Sequence, residues 1–168
     1  MNSIILLIIA FFSFSLSAQN DNCNCCTPQH EAFDFWIGEW EVTNPQGVKV
    51  GDNKIVKQQD NCLLIENWVS ANGRSTGTSQ NFYNPKTKQW EQLWVDNQGG
   101  HLKLKGGRKG NQMVLLTDEA TNKDGKPFYH RVTWTANDDG TVRQLWETIV
   151  NNTETTIVFD GLYKKKTD

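Results

Sequence analysis

The chain of 168 residues lacks the features that mark several common functional classes. It has no positive surplus, with 17 Lys and Arg against 19 Asp and Glu, and this balance disfavours a protein that binds nucleic acid through its phosphates. It contains no nucleophile elbow, phosphate-binding loop or His-rich metal motif, so we expect no metal site. Low mean hydropathy and a charged fraction of 21% exclude a polytopic membrane protein.

Aromatic residues are abundant instead. The chain has 7 Trp, 8 Phe and 3 Tyr, and burial of that much apolar surface can offset the entropy lost on folding. This excludes a disordered chain. The length predicts one domain, or one domain and a processed leader.

The N-terminus has the pattern of a secretory signal peptide. Residues 4–12 form an apolar run that is too short to span a bilayer, which needs about 20 residues. Small residues at 17 and 18 favour cleavage before Gln19, so residues 1–18 are predicted to be removed. We therefore expect a secreted or periplasmic protein without a membrane span; an uncleaved N-terminal anchor is the alternative.

Four cysteines remain after this cleavage, namely Cys23, Cys25, Cys26 and Cys62. An even number in an oxidising compartment indicates disulfides, and a bond between adjacent cysteines would be strained. We predict a Cys26–Cys62 disulfide that closes a loop of about 36 residues, with the other two cysteines unassigned. The alternative is a soft-metal site on the three thiolates of the Cys-x-Cys-Cys cluster. Zinc would normally require a second pair of ligands, and the sequence contains no second cysteine cluster.

The remaining sequence alternates apolar and polar residues with period two. A short helix is predicted over residues 27–33, where Thr27 caps and Pro28 suits the first turn. Strands are predicted near residues 35–44, 47–59, 62–70, 74–83, 88–97, 101–107, 111–119, 127–136, 141–150 and 154–165. This predicts an all-β fold, a closed antiparallel up-and-down β-barrel of about ten strands over residues 33–166, after a Cys-containing segment over 19–32.

One face of several strands combines large aromatic side chains with polar groups. A solid core would favour aliphatic residues there, whereas this mixture is typical of the wall of a ligand cavity. We therefore predict that the protein binds a small, mostly apolar or aromatic molecule inside the barrel. The predicted ligand-binding residues are Glu66, Trp68, Gln92, Trp94, His130, Trp134, Gln144 and Trp146.

A Gly-x-Trp motif at Gly38 and Trp40 resembles the signature of lipocalins and the wider calycin group. The longer string over residues 33–42 resembles a family of secreted bacterial domains of unknown function with a lipocalin-like or nitrobindin-like barrel. Further similar strings lie at residues 66–68, 82–85, 94–100, 143–147 and 159–163, so the resemblance covers about residues 30–165.

The resemblance implies a barrel but no particular activity, because such barrels serve transport, haem binding and enzyme chemistry alike. It implies that Gly38 bends the first strand where a Cβ would clash. It also implies that Trp40 plugs one barrel end under a basic side chain from residues 164–166. The nitrobindin loop has further glycines that are absent here, so no cofactor is expected; haem, with His130 as a candidate ligand, is the alternative.

An enzyme in the same cavity is the second hypothesis, such as a lyase, isomerase or hydrolase acting on a secreted metabolite or sugar. Its candidate catalytic residues are Glu66, Asp96 and His130, which could perform acid–base chemistry in a buried site. In the structural interpretation, His130 is a hydrogen-bonded wall residue, Asp96 caps a turn and Glu66 pairs with Arg74 or Arg131. A barrel that serves only a structural role is the third hypothesis. The sequence leaves the oligomeric state open.

Overall fold

The computed structural model describes residues 23–167. The predicted signal peptide and its cleavage point lie outside the described residues. None of the helical structure within the described range has the length and apolar character needed to cross a membrane.

Within residues 23–167, eleven antiparallel strands form one sheet that closes on itself. Strand β10 pairs with both β9 and β11, and this closes a ten-stranded barrel to which β8 adds a short hairpin on β9. The prediction of an all-β closed antiparallel barrel is confirmed. The strands are β1 (Gly38–Thr43), β2 (Lys49–Gln58), β3 (Leu63–Ser70), β4 (Thr76–Asn84), β5 (Gln89–Asp96), β6 (His101–Lys109), β7 (Gln112–Leu116), β8 (Ala120–Thr121), β9 (Pro127–Ala136), β10 (Val142–Val150) and β11 (Glu154–Lys165).

The predicted N-terminal helix over residues 27–33 does not form. Those residues make turns, with a hydrogen bond of 3.0 Å from the Glu31 amide to the Thr27 carbonyl, and a 3₁₀ turn follows at Asp34–Trp36. A helix nucleus is costly, and here the chain bends so that Phe33 and Trp36 both become fully buried inside the barrel. Burial of these rings therefore prevails over local helix propensity.

The disulfide prediction was wrong in its pairing. Cys25, not Cys26, bonds to Cys62, with 5.0 Å between their Cα atoms, and Cys26 bonds to Cys23. Cys25 is buried against the barrel end where Cys62 lies, whereas Cys26 is exposed and turns back towards Cys23. Adjacent side chains point in different directions here, so only one of the two can reach Cys62. Two disulfides fit an oxidising environment.

Residues 23–37 form a capping segment across one end of the barrel. Trp90 Nε1 donates a hydrogen bond of 3.0 Å to the carbonyl of Gln29, and Arg108 Nη1 donates one of 2.6 Å to that of Ala32. These bonds and the Cys25–Cys62 disulfide hold the segment over the strand ends. We call this the closed end of the barrel.

An aromatic cluster fills the closed end. Phe33 stacks on Trp36 with 5.0 Å between ring centroids, and Trp36 lies 5.3 Å from Trp134. Trp40 Nε1 donates a hydrogen bond of 2.9 Å to the carbonyl of Trp36. The rings form an apolar floor, above which the barrel interior can hold other groups.

Trp40 and Gly38 occupy the places that the family resemblance implies. Lys165 Nζ lies 5.4 Å from the centroid of the Trp40 ring, so Lys165 supplies the basic cover. The expected reason for Gly38 needs correction, since a Cβ there would only make ordinary contact, 3.5 Å from Lys165 Cε. Its φ of +143° is the actual requirement, because side chains with a Cβ rarely adopt that conformation.

Candidate functional site

A cavity of about 240 Å³ lies between the apolar floor and the opposite, open end of the barrel. Ser75 and Asp96, at its wall, lie beside the turns that join strands at the open end. Its lining combines aromatic, aliphatic and polar side chains: Glu66, Trp68, Ser75, Gln92, Trp94, Asp96, Leu102, Val132, Gln144, Trp146, Val158, Phe159 and Tyr163.

The indole rings of the wall lie against glycines of neighbouring strands. A Cβ added at Gly51 would fall within 3.0 Å of the Trp68 ring, and one at Gly77 within 3.0 Å of the Trp94 ring. Gly51 pairs near Trp68 across β2 and β3, and Gly77 pairs near Trp94 across β4 and β5. The missing side chains let both rings lie along the wall, and this keeps the interior open.

A layer of buried polar side chains separates the aromatic wall from the floor, with Glu66 at its centre. Glu66 Oε1 accepts a hydrogen bond of 2.7 Å from Asn53 Nδ2, and Oε2 accepts one of 2.6 Å from Ser79 Oγ. Ser79 Oγ in turn accepts from Asn81 Nδ2 at 2.8 Å, and Gln92 Nε2 donates to Asn81 Oδ1 at 2.7 Å. The donors of this layer therefore point towards the carboxyl group.

Burial raises the pKa of Glu66 from 4.5 to about 7, although the hydrogen bonds from Ser79 and Asn53 lower it in part. Its side chain is only 4% exposed. Among residues 23–167, no basic side chain forms an ion pair with it. Glu66 is thus a carboxyl group that can carry or release a proton near neutral pH.

Tyr163 is a cavity residue that was not predicted. Its hydroxyl donates a short hydrogen bond to Gln144 Oε1 and accepts one of 3.4 Å from Asn53 Nδ2. Burial raises the pKa of Tyr163 well above its ordinary value, and the nearby charge of Glu66 raises it further. The hydrogen bond from Asn53 lowers the pKa by a smaller amount. The phenol therefore stays neutral. The sequence signal that could have identified Tyr163 is its period-two spacing from Phe159 and Gly161 in the last strand, which places the three residues on one face.

Most of the predicted ligand-binding residues line this cavity, namely Glu66, Trp68, Gln92, Trp94, Gln144 and Trp146. Trp134 does not. It is 1% exposed and packs in the floor, with its ring centroid 5.1 Å from that of Phe33. Trp134 has the expected parity, but its depth in the barrel places it below the cavity.

His130 is not among the residues that line the cavity, but its ring contacts Trp146 with 5.5 Å between centroids. Its Nδ1 accepts a hydrogen bond of 3.1 Å from Trp146 Nε1 and lies 3.1 Å from Thr148 Oγ1. Burial lowers the pKa of His130, and a hydrogen bond with the backbone of Glu147 raises it by a smaller amount. This contact fits a wall residue that positions Trp146. Within the described residues, the cavity lining contains no His side chain.

The three candidate catalytic residues do not meet at one point. Asp96 lines the cavity, and its Oδ1 also accepts backbone hydrogen bonds from Gln98 and Gly100, both of 2.8 Å, as a turn cap does. His130 hydrogen-bonds to Trp146 but does not line the cavity. Arg131 pairs with Glu147 at 2.9 Å instead of Glu66. The geometry is that of a cavity with a buried carboxyl group, Glu66, that has no basic partner among residues 23–167.

Fold and cavity together define a disulfide-bonded antiparallel β-barrel with a buried aromatic cluster, an architecture compatible with ligand binding. A scan against models of protein families and a search of curated proteins found no match for the chain.

Proposed function

We propose that this protein is an extracytoplasmic barrel of the calycin type that binds a small aromatic or apolar molecule in its central cavity. The observation that carries this proposal is the open space between Trp68, Trp94 and Trp146 above a polar layer. Aromatic walls supply contact area, and a few polar groups orient the ligand. A barrel with a purely structural role would fill this volume with side chains.

The size of the cavity limits the ligand. Its volume of about 240 Å³ corresponds to the liquid volume of about eight water molecules. It therefore suits a molecule with one ring or a short aliphatic body. Each well-oriented aromatic contact contributes about 0.5–1.5 kcal/mol beyond burial, so contacts with three rings are consistent with micromolar affinity.

The proposed location depends on the N-terminal pattern and on the disulfides. The apolar leader over residues 1–18 supports export, and the two disulfides of the barrel support an oxidising destination. The Gly-x-Trp motif, the Trp40 plug and the Lys165 cover support membership of the calycin group.

Two neighbouring positions on β6 allow a matched test. Leu102 faces the cavity, whereas Lys103 is exposed on the outer surface. Leu102→Trp should fill the cavity and abolish ligand retention, and Lys103→Trp should leave it unchanged. Native mass spectrometry of protein from its own host measures the retained molecule, and calorimetry with small aromatic compounds measures the affinity.

Equal binding by the two variants would show that the ligand lies elsewhere. If the protein from its own host retains nothing and a broad panel of aromatic and aliphatic compounds gives no heat, the cavity has no binding role.

A further inference from the structure

We infer that the ligand of this cavity is a small organic cation, a molecule that joins a protonated amine to an aromatic or aliphatic body, with Glu66 as its counter-ion. This inference rests on the proposed binding function and specifies the chemical class of the ligand. The argument uses the charges of the lining, the direction of its hydrogen bonds and the nature of its walls.

The charges that face the cavity have one sign. Within the described residues, the lining contains the carboxyl groups of Glu66 and Asp96 and no Lys, Arg or His. Glu66 lies in the interior, and Asp96 lies near the open end. A negatively charged ligand would be repelled, whereas a cation would meet one acidic group on entry and another at depth.

The hydrogen bonds around Glu66 are arranged for a carboxylate. Asn53 Nδ2 and Ser79 Oγ each donate to one carboxyl oxygen, and Asn81 donates to Ser79. The Tyr163 hydroxyl donates to Gln144 instead. This orientation stabilises a negative charge but provides no basic partner for it.

A buried carboxylate without a cation is costly, and a bound ammonium group would remove that cost. A second acceptor in this layer also lacks a donor: Asn53 Oδ1 is buried and has no hydrogen-bond partner among residues 23–167. An ammonium group brings three donors and no acceptor. Its chemistry thus complements the layer.

The walls also favour a cation. Trp68 is two residues after Glu66 on β3, and Phe159 meets the Trp68 ring edge-on with 5.8 Å between centroids. Trp94 pairs with Ser79, the donor to Glu66. Indole faces attract positive charge, and cages of such rings recognise organic ammonium groups.

The pH dependence of binding distinguishes a cation from a neutral ligand. The groups packed around Glu66 are Asn53 on β2, Ser79 on β4 and Gln92 on β5, with the titratable Tyr163 on β11 and Asp96 near the open end. Because Tyr163 stays neutral, Glu66 is the group that changes charge near pH 7.

A cation requires ionised Glu66, so its affinity should rise about tenfold per pH unit below pH 7 and level off above it. A neutral hydrogen-bond acceptor would prefer protonated Glu66, so its affinity should be constant below pH 7 and fall above it.

Calorimetry with charged and neutral probes of equal shape provides the test. We expect benzylamine to bind at least about tenfold more tightly than benzyl alcohol at pH 8, and cyclohexylamine more tightly than cyclohexanol. Benzylamine affinity should rise between pH 5 and pH 7. Stronger binding of the alcohols, or benzylamine affinity that does not rise over this range, would overturn the cation assignment.

Variants connect the effect to Glu66. Glu66→Gln should weaken benzylamine on the order of 100-fold and remove its pH dependence, while benzyl alcohol changes only a few-fold. Glu41→Gln, on the exposed outer face of β1, should change neither. The wild-type pH profile tests the inference even if Glu66→Gln does not fold. If neither the amines nor the alcohols bind, the proposed function fails and the cation assignment fails with it.

Discussion

The Trp94 ring lies over Gly77 of the adjacent strand, so closely that a Cβ on Gly77 would overlap the indole. The two residues lie on neighbouring strands, with Gly77 opposite Asp96 and Ser79 opposite Trp94. The ring occupies the space that a side chain would take. It follows that a glycine on one strand determines how far an indole from the next strand projects into the cavity.

Gly77→Ala should displace the Trp94 ring into the cavity. We expect a loss of about 1–3 kcal/mol in the free energy of unfolding and weaker ligand binding, because the added methyl group overpacks the wall. Gly107→Ala is the control, since a Cβ there meets nothing within 4 Å, and it should stay within about 0.5 kcal/mol of wild type. Urea unfolding measures the free energy of unfolding of both variants, and calorimetry measures their ligand affinity. A neutral Gly77→Ala would contradict this account of the wall.

The buried Glu66 should make the protein less stable as the pH rises. Its pKa is about 7 in the folded protein and near 4.5 when unfolded, so between these values the folded state binds more protons. Stability from this group is therefore highest below pH 4.5 and falls by roughly 3 kcal/mol by pH 7, without further change above it.

Glu66→Gln should abolish this decrease. Urea unfolding of wild type and variant between pH 4.5 and pH 8 measures the difference, in which the titration of all other groups cancels. If both proteins show the same pH dependence, Glu66 is not the titrating group.

The two disulfides should differ in their contribution to stability. The Cys25–Cys62 bond joins residues 37 apart, and the Cys23–Cys26 bond joins residues 3 apart. The chain-entropy relation predicts losses of about 4 kcal/mol for the Cys25→Ala/Cys62→Ala variant and about 2 kcal/mol for Cys23→Ala/Cys26→Ala. Denaturant unfolding of the two double variants compares them. A larger loss from the short loop would refute the ranking.

Lys165 should stabilise the barrel through the Trp40 ring. Lys165→Met is expected to lose about 0.5–1 kcal/mol of unfolding free energy, because it removes a cation 5.4 Å from the ring centroid. Lys164→Met is the control, since Lys164 is exposed on the opposite face of the strand. Chemical denaturation compares the two variants. Equal stability would show that Lys165 only covers Trp40 sterically.

Period-two alternation was sufficient to predict which residues of a strand share a face. Trp68, Trp94 and Trp146 face the cavity as expected, because side-chain direction in a strand depends on backbone geometry alone. The depth of a side chain along the barrel axis could not be predicted in the same way. Trp134 has the same parity as these residues but lies in the floor, because strand tilt and register determine depth.

Local chemistry therefore determined the strands, their turns and the closed all-β barrel of this protein. Only the tertiary structure decided that Cys25 reaches Cys62, that His130 hydrogen-bonds to Trp146, and that Glu66 is buried with no basic partner among residues 23–167. These features depend on which side chains meet across strands distant in sequence. The residue pattern within a single strand does not specify which side chains of other strands it will contact.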